Sequence, residues 1–337
     1  MKIAIANPHN FSNAAVWKEY AKKKGIECIE VNPYDNDIVD QVRDCDYFFW
    51  HHSQTSYKDL ILAKPLLFSL QCAGVKVYPN FDSGWHFDDK LGQKYFLEAA
   101  GAPLVKSYAF YSEEEALEWA KQTEYPKVFK LRGGAAAKNV KLVHDFKETQ
   151  KLIRQAFHRG FPYFDAVGEL KETYSKFKRH KASIKNLLGA FFRLFKHSHK
   201  NDLYHSEKGY VYFQDFMPGN TYDTRIVVIG GKYAVAERRM TRKNDFRASG
   251  SGDFSYEGID ENIVKIAIET AKKLKMQSVA YDFVYDADHN PKIVEICFGF
   301  GTKGISHAPY FWDDKMVKHE NEPFDISTWI IDSVING

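Results

Sequence analysis

The chain has 337 residues, 44% hydrophobic and 15% aromatic, enough for two or three compact units with real cores and too apolar for a disordered tail, a coiled coil or a mini-protein. Its 47 Lys+Arg against 44 Asp+Glu leave a formal charge of only +3, so no global basic field marks a nucleic-acid binder. That balance hides a local excess: residues 171–200 hold nine Lys/Arg and one acid, Glu172, a segment charge of +8 that leaves −5 for the remainder.

Read from the N-terminus, KIAIA, AAVWKEYAKKKG, IECIEV, DIVDQVRD, CDYFFW, YKDLILAKPLLFSLQCAG and VKVYP alternate short β-rich runs with helical periods. This rhythm, with Gly25 and Gly74 as helix stops, predicts a small parallel sheet wrapped by helices. NPHN follows the first strand in place of GxGxxG, so a dinucleotide-binding fold loses its main support. After Asn80 a helix is expected from about Trp85 to Ala100, then the strand KSYAFY and the helix SEEEALEWAKQT, capped by Ser112 with Glu115 three residues on. PKVFKLRGGAAAKNVKLV reads as two strands joined by a small-residue loop, and a helix from about Phe146 to Phe157 follows. The stretch 159–208 reads as an inserted element before the strand YVYFQDF. Beyond it, TRIVVIGGKYAVAERR and VAYDFVYDADHNPKIVEI read as hairpins turning at Gly230-Gly231 and at Asp288-His289-Asn290, with a helix from about Glu261 to Lys273 between them. This third is expected to be antiparallel. Boundaries near Asp88 and Met217 give segments 1–88, 89–216 and 217–337.

The four cysteines, Cys28, Cys45, Cys72 and Cys297, have neither CxxC pairing nor the spacing of a disulfide framework. They are read as reduced thiols of a cytoplasmic protein. The N-terminal apolar run is about five residues, short of the roughly 7 to 15 of a signal-peptide core, and no run reaches the ~18 apolar residues of a membrane span.

Five motifs stand in order: DKLGQKYFLEAAGAP, PKVFKLRGGAAAKNV, YFQDFMPGNTYDTRIVVIGG, ERRMTRKNDFRASGSGD, and VAYDFVYD with PKIVEIC. Together they resemble the ATP-grasp ligases, and the run from DTR through ERR to DFR is most similar to the branch that includes the ribosomal-protein glutamate ligases. The resemblance spans about 89–300. It implies an ATP-grasp fold, α/β and α+β, with 1–88 as a parallel-sheet pre-ATP-grasp domain, 89–216 as a lid subdomain carrying the insert, and 217–337 as an antiparallel-sheet subdomain. The implied cofactors are ATP and Mg²⁺.

Lys90 and Lys130 are the cations expected on the α- and β-phosphates; Lys130 ends the apolar strand VFKL, while Lys90 beside Asp89 also fits a surface ion pair. Gly133 and Gly134 open a loop bare enough for its backbone N–H groups to close over phosphates, although a plain hairpin turn would look the same. Ala137 and Asn139 stand where the family has glycines. Gln214, Asp215 and Met217 resemble the hinge on which adenine lies, and Asp223 the acceptor for the ribose hydroxyls. Arg225 and Arg247 are expected to stabilise the acyl phosphate and the tetrahedral intermediate. Arg238 and Arg239 are adjacent on a strand, so at most one of them faces the site. Asp282 and Glu295, on opposite arms of the last hairpin, are the expected Mg²⁺ ligands. Cys297 replaces the family's Asn ligand and is a poor partner for a hard cation.

His51 and His52 follow the third strand, where they would hold an acceptor carboxylate or act as a base; exposed loop histidines are the plainer expectation. The basic segment 171–200 includes LLGAFFRLF, which suits an anionic membrane, a polyanion or a second subunit. The function these readings predict is an ATP-dependent carboxylate ligase. It would form an acyl phosphate that an amine captures to make a C–N bond, with ADP and phosphate released. Its acceptor would be a small-molecule or glycan carboxylate, such as a uronic-acid glycan. An ATP-binding regulator without turnover and a kinase-like phosphoryl transferase are the alternatives.

Overall fold

The computed structural model describes residues 1–134, 140–162, 168, 170, 173–174, 177–178, 182–193, 206–242, 245–248 and 252–337. Contacts divide the chain into two units, one of Met1–Ser107, Gly133, Gly134 and Met217–Gly337, the other of Tyr108–Arg132 with the described part of 139–216.

The first unit opens with β1 (Lys2–Ala6), α1 (Ser12–Lys23), β2 (Glu27–Val31), α2 (Ile38–Val42), β3 (Tyr47–Trp50), α3 (Tyr57–Cys72) and β4 (Lys76–Tyr78). The strands pair in the order β2-β1-β3-β4, all parallel. KIAIA and YFFW are apolar throughout because both faces of this sheet are covered. Ile3, Ile5 and Phe49 face one core and Ala4, Phe48 and Trp50 another. A short α4 (Phe81–Gly84) and α5 (Lys90–Ala99) follow. The helix expected over about 85–100 therefore begins later, because Asp88 takes φ 55 and Asp89 caps the new helix by accepting from the Gly92 amide at 2.9 Å.

In the second unit β5 (Ser107–Phe110), α6 (Glu113–Gln122), β6 (Lys127–Lys130), β7 (Val140–Val143), α7 (Phe146–Phe157), α8 (Ile184–Arg193) and β8 (Val211–Asp215) succeed one another, with a sheet in the order β5-β8-β6-β7. Its core gathers Ala116 and Ala120 of α6, Phe129 of β6, Ile153 of α7 and Phe213 of β8. On α8, Ile184, Leu188, Phe191 and Phe192 are exposed although they share one face at helical spacing.

The first unit resumes with β9 (Tyr222–Ile229), β10 (Tyr233–Met240), β11 (Phe254–Ser255), α9 (Glu261–Lys273), β12 (Ser278–Tyr285), β13 (Pro291–Cys297), β14 (Tyr310–Asp313), β15 (Lys318–Glu320) and α10 (Ile326–Asn336). These strands form an antiparallel sheet in the order β13-β12-β9-β10-β14-β15, with β11 beside β10. One face carries Ile226, Val228, Ala236 and Tyr281 onto α9. The other carries Val227, Ile229, Val235 and Ala280 into a core shared with Ile3, Ile5, Trp17 and Phe49. Hydrogen bonds from Trp17 Nε1 to the Ser327 carbonyl at 3.0 Å and between Tyr78 and Ser278 at 2.8 Å cross that shared core. No helix among the described residues is long and apolar enough to cross a membrane.

The β9–β10 hairpin turns at Gly230, which has φ 58 and whose added Cβ would lie 2.9 Å from the Ser333 Cβ of α10. Gly25, also left-handed at φ 66, has open space around it. Gly25→Ala is expected to cost only the left-handed backbone term, roughly 1–2 kcal/mol, and Gly230→Ala distinctly more because α10 must shift. Denaturant unfolding of both variants checks this ordering.

Candidate active site

The antiparallel sheet changes character along one face. Side chains alternate across a strand, so positions two along from the apolar Val227, Val235 and Ala280 face the same way, and charges stand there. The register sets Glu295 opposite Asp282, Asp282 opposite Arg225, and Arg225 opposite Glu237, a row across β13, β12, β9 and β10. In the same ladder Asp223 lies opposite Arg239.

Arg225 grips Asp282 with both arms, Nε to Oδ1 at 2.8 Å and Nη2 to Oδ2 at 3.0 Å. Arg239 Nη2 adds a contact to Asp282 Oδ2 at 2.7 Å, and Arg239 also holds Asp223 through Nε at 2.7 Å and Nη2 at 2.5 Å. Burial works against an ionised Asp282, but the two guanidinium groups outweigh it and hold its carboxyl well below the usual range. Burial likewise works against Arg239, and Asp282 with Asp223 keeps it charged. Two guanidinium groups thus face three carboxylates. The third, Glu237, is 2% exposed and its Oε2 has no hydrogen-bond partner. Burial pushes its carboxyl up to about 7.

Lys90 begins α5 and is buried, with Nζ donating to the Gly134 carbonyl at 2.8 Å and lying 3.4 Å from Glu295 Oε1. Asp88 accepts from the Gly134 amide at 2.8 Å, and burial pushes its carboxyl up to about 6. Both polar groups of Gly134 are therefore held. Glu295 is more open than Asp282, with its side chain 37% exposed. Oxygen donors of this kind suit Mg²⁺, which takes one or two carboxylates and completes its shell with water and phosphate oxygens. Asp282 joins such a set only by sharing oxygens already held by Arg225 and Arg239. Burial pushes the Cys297 thiol up to about 12, so it stays protonated and contributes no thiolate. No group of three His, Cys, Asp or Glu placed to hold a metal occurs among the described residues.

The second unit carries its own polar set. Lys130 is buried at the end of β6 and donates to Gln214 Oε1 at 2.5 Å, while Gln214 Nε2 donates to the Tyr212 hydroxyl at 3.1 Å. Asp215 accepts from Lys127 Nζ at 2.7 Å. Met217 opens the return of the chain to the first unit, and its carbonyl accepts from Asn220 Nδ2 at 3.1 Å.

Sequence reasoning named Arg225, Asp223 and the pair Asp282 and Glu295, which the structure brings onto one sheet face, and Lys90, which reaches Glu295 from the start of α5. It missed Arg239 as the inward member of its pair, and it missed Glu237 and Asp88. Extending the alternation from Arg225 across the Gly230-Gly231 turn was the signal for Glu237 and Arg239. Arg238 points elsewhere, over the Tyr222 ring at 4.3 Å and to the Gly258 carbonyl. Arg247 has a partner in Asp245, with Nε at 2.9 and 3.0 Å from its two oxygens and Nη2 at 2.6 Å. Gly133 is half-buried ahead of Gly134, and Ala137 and Asn139 lie outside the described residues. The expectation of exposed loop histidines is corrected: His51 and His52 are packed against Phe298 at 5.9 and 5.0 Å, and burial lowers them to about 4 and about 3. A ring surrounded by aromatics cannot keep the water a charged imidazole needs.

Residues 189–315 match the RimK-like ATP-grasp domain family. Among solved structures, the D-cycloserine synthetase DcsG superposes with a TM-score of 0.59 at 12% identity, covering 100% of this chain and 99% of that one. A RimK domain protein from Sphaerobacter thermophilus gives 0.58 at 15% identity, covering 91% and 94%. The ATP-grasp ligase PsnB, solved with a minimal precursor, Mg and ADP, gives 0.53 at 14% identity, covering 99% and 97%. None of the curated proteins matches the chain in sequence. The chain has the ATP-grasp fold, as the resemblance implied, and the RimK-like match falls on its residues 189–315.

The unpartnered Glu237 makes a pH prediction. Its folded value, about 7, lies above the unfolded one, 4.5, so its contribution is fully present below the unfolded value and is lost as pH rises through the folded one. Glu237→Gln is expected to abolish that loss, giving a smaller drop in Tm between acid and alkaline conditions than the parent shows. Thermal melts over this window check it.

Proposed function

We propose that this protein is an ATP-dependent carboxylate–amine ligase. The observation that carries the reading is the charged row from Glu295 to Glu237 on one sheet face, in a chain of ATP-grasp fold. In this reading a substrate carboxylate attacks the γ-phosphate of ATP in line, and the acyl phosphate formed is captured by an amine. Arg225 supplies positive charge where the phosphate and the tetrahedral intermediate develop negative charge, with Arg247 as its expected second. Lys90 and Lys130 take the α- and β-phosphates in exchange for their present acceptors, the Gly134 carbonyl and Gln214. Gln214, Asp215 and Met217 read the adenine edge and Asp223 the ribose, with Gly133 and Gly134 near the phosphates. Mg²⁺, when bound to Glu295 and Asp282, offsets phosphate charge. Solved proteins of this fold that hold Mg with ADP, or ATP, support the cofactor assignment.

The acceptor class is the finer part of the proposal. The +8 of 171–200 and the outward apolar face of α8 favour a polyanionic carboxylate, such as a uronic-acid glycan, or one presented at an anionic surface. The primary test is an ADP-release screen of acid and amine pairs with mass detection of the adduct. Release that needs both partners supports ligation; release with the acid alone and a stable phosphorylated product supports a kinase; no release with any pair supports a regulator. Binding should require Mg²⁺ and prefer ATP to GTP, which calorimetry reads directly.

Glu295→Gln is expected to remove most turnover while ATP still binds, because the lysines and the hinge are untouched; a near-normal rate would place the metal elsewhere. Reversing Lys176, Lys178, Arg179 and Lys181 to Glu should raise the acceptor KM and abolish its salt dependence, with ATP affinity kept within about twofold, since such attraction is screened over ~8 Å at physiological salt. Steady-state kinetics across a salt series checks this, and parallel losses of ATP affinity and stability would return the segment to a structural role.

A further inference from the structure

A second polar cluster occupies the C-terminal edge of the parallel sheet. The strand order β2-β1-β3-β4 reverses direction between β1 and β3, and open α/β sheets take ligands in the crevice outside the strand ends at such a point. The chain following three of these four strands supplies one side chain each to a single network: His9 after β1, Tyr34 after β2, and Asp59 in the first turn of α3 after β3. Asp59 is 1% exposed and accepts from the Tyr34 hydroxyl at 2.5 Å, the His9 Nε2 at 2.8 Å and the Ser53 amide at 2.7 Å. Burial pushes its carboxyl up, but these hydrogen bonds outweigh burial and hold it below the usual range. An ionised carboxylate only accepts, so Nε2 carries a proton toward Asp59 and Nδ1 is the ring nitrogen left to take one from a ligand. The His9 side chain is 26% exposed, while that of Asp59 is fully buried.

Within the same unit this cluster leads to the charged face. Phe11 lies between the His9 and His51 rings at 5.6 and 4.9 Å, and His51 and His52 pack on Phe298, which directly follows the Glu295–Cys297 end of β13. His52 is wholly buried there with neither ring nitrogen hydrogen-bonded.

We propose that His9, oriented by Asp59, accepts the proton of the primary amine that captures the acyl phosphate, with the crevice at β1 and β3 as the amine's seat. This rests on the ligase reading. The amine arrives as an ammonium ion and gives one proton to His9 Nδ1, which frees its lone pair. That pair forms the C–N bond to the acyl carbon; the C–O bond to phosphate breaks, its electrons leaving with inorganic phosphate, and the second amine proton goes to the departing phosphate.

Hydroxylamine separates this step from the rest, because it is largely unprotonated at neutral pH and captures acyl phosphates without a base. Full-length parent, His9→Gln and Tyr34→Phe are compared with ATP, Mg²⁺ and a mixture of glutamate, aspartate and glucuronate, using first hydroxylamine and then the proteinogenic amino acids as nucleophiles. Gln keeps a donor toward Asp59 and lacks the basic nitrogen. The expected result is hydroxamate formation within about twofold of the parent, with amide formation by His9→Gln down about a hundredfold or more and by Tyr34→Phe only slightly. Amide formation unchanged in His9→Gln overturns the proposal, as do parallel losses of both products. No hydroxamate from the parent itself removes the ligase reading, and this proposal with it.

Discussion

The Arg239 guanidinium is 5% exposed and is shared between two carboxylates on neighbouring strands, and the rest of the site follows from that arrangement. A charge so placed costs several kcal/mol to desolvate unless paired and hydrogen-bonded. Asp223 and Asp282 satisfy it, Asp282 in turn orients Arg225, and the in-register pairing of β10, β9 and β12 fixes all four at once. Such a grid does not have to reorganise when negative charge arrives, which is the condition under which fixed dipoles and cations stabilise a transition state best. It also leaves Glu237 Oε2 with no hydrogen-bond partner among the described residues.

The site is built on one face because that face has two occupants. Toward one end of β9, Val227 and Ile229 meet the parallel sheet and bury apolar area at roughly 25 cal/mol per Å². Toward the other, Asp223 and Arg225 take over on the same side. The shared core holds residues 1–107 and 217–337 as one unit, so the aromatic cluster around Phe298 and the charged row keep a fixed relation. Phe87 is part of that cluster, 4.5 Å from Phe298, and its carbonyl accepts from Lys64.

Much of this was legible in the sequence where one residue type answers to one local cause. Ser112, Asp145 and Asp260 cap their helices through side chains that accept from amides two or three residues on, and the periodicities of α7 and α9 give their bounds. KIAIA and YFFW announced a two-faced parallel sheet, and TRIVVIGGKYAVAERR a hairpin. What stayed hidden depends on long-range register or on a single backbone angle. The left-handed Asp88 delayed the start of the expected helix to Lys90, and nothing in SGWHFDDK marks that residue. Glu237 was not singled out, because only its pairing with Arg225 puts it inside. His52 read as an exposed loop residue because the aromatics that bury it, Phe87 and Phe298, lie far along the chain. The His9–Asp59 contact spans 50 residues and has no local signature.

The glycines after β13 show why these parts belong together. An added Cβ at Gly299 would stand 2.9 Å from the Phe87 ring, and one at Gly304 would collide with the Glu237 carboxylate. The Tyr256 hydroxyl fixes Gly304 from the other side by donating to its carbonyl at 2.6 Å. The loop thus lies against the histidine-bearing cluster at Gly299 and against the unpartnered carboxylate at Gly304, with no side-chain bulk at either point. The loop helps keep Glu237 short of solvent, and that burial is what raises its carboxyl. The same packing explains Cys297: between Phe298 and Ala280's neighbours on the shared core, a neutral thiol is an apolar filler, whereas a carboxamide there would need partners that this side of the sheet gives to Asp282.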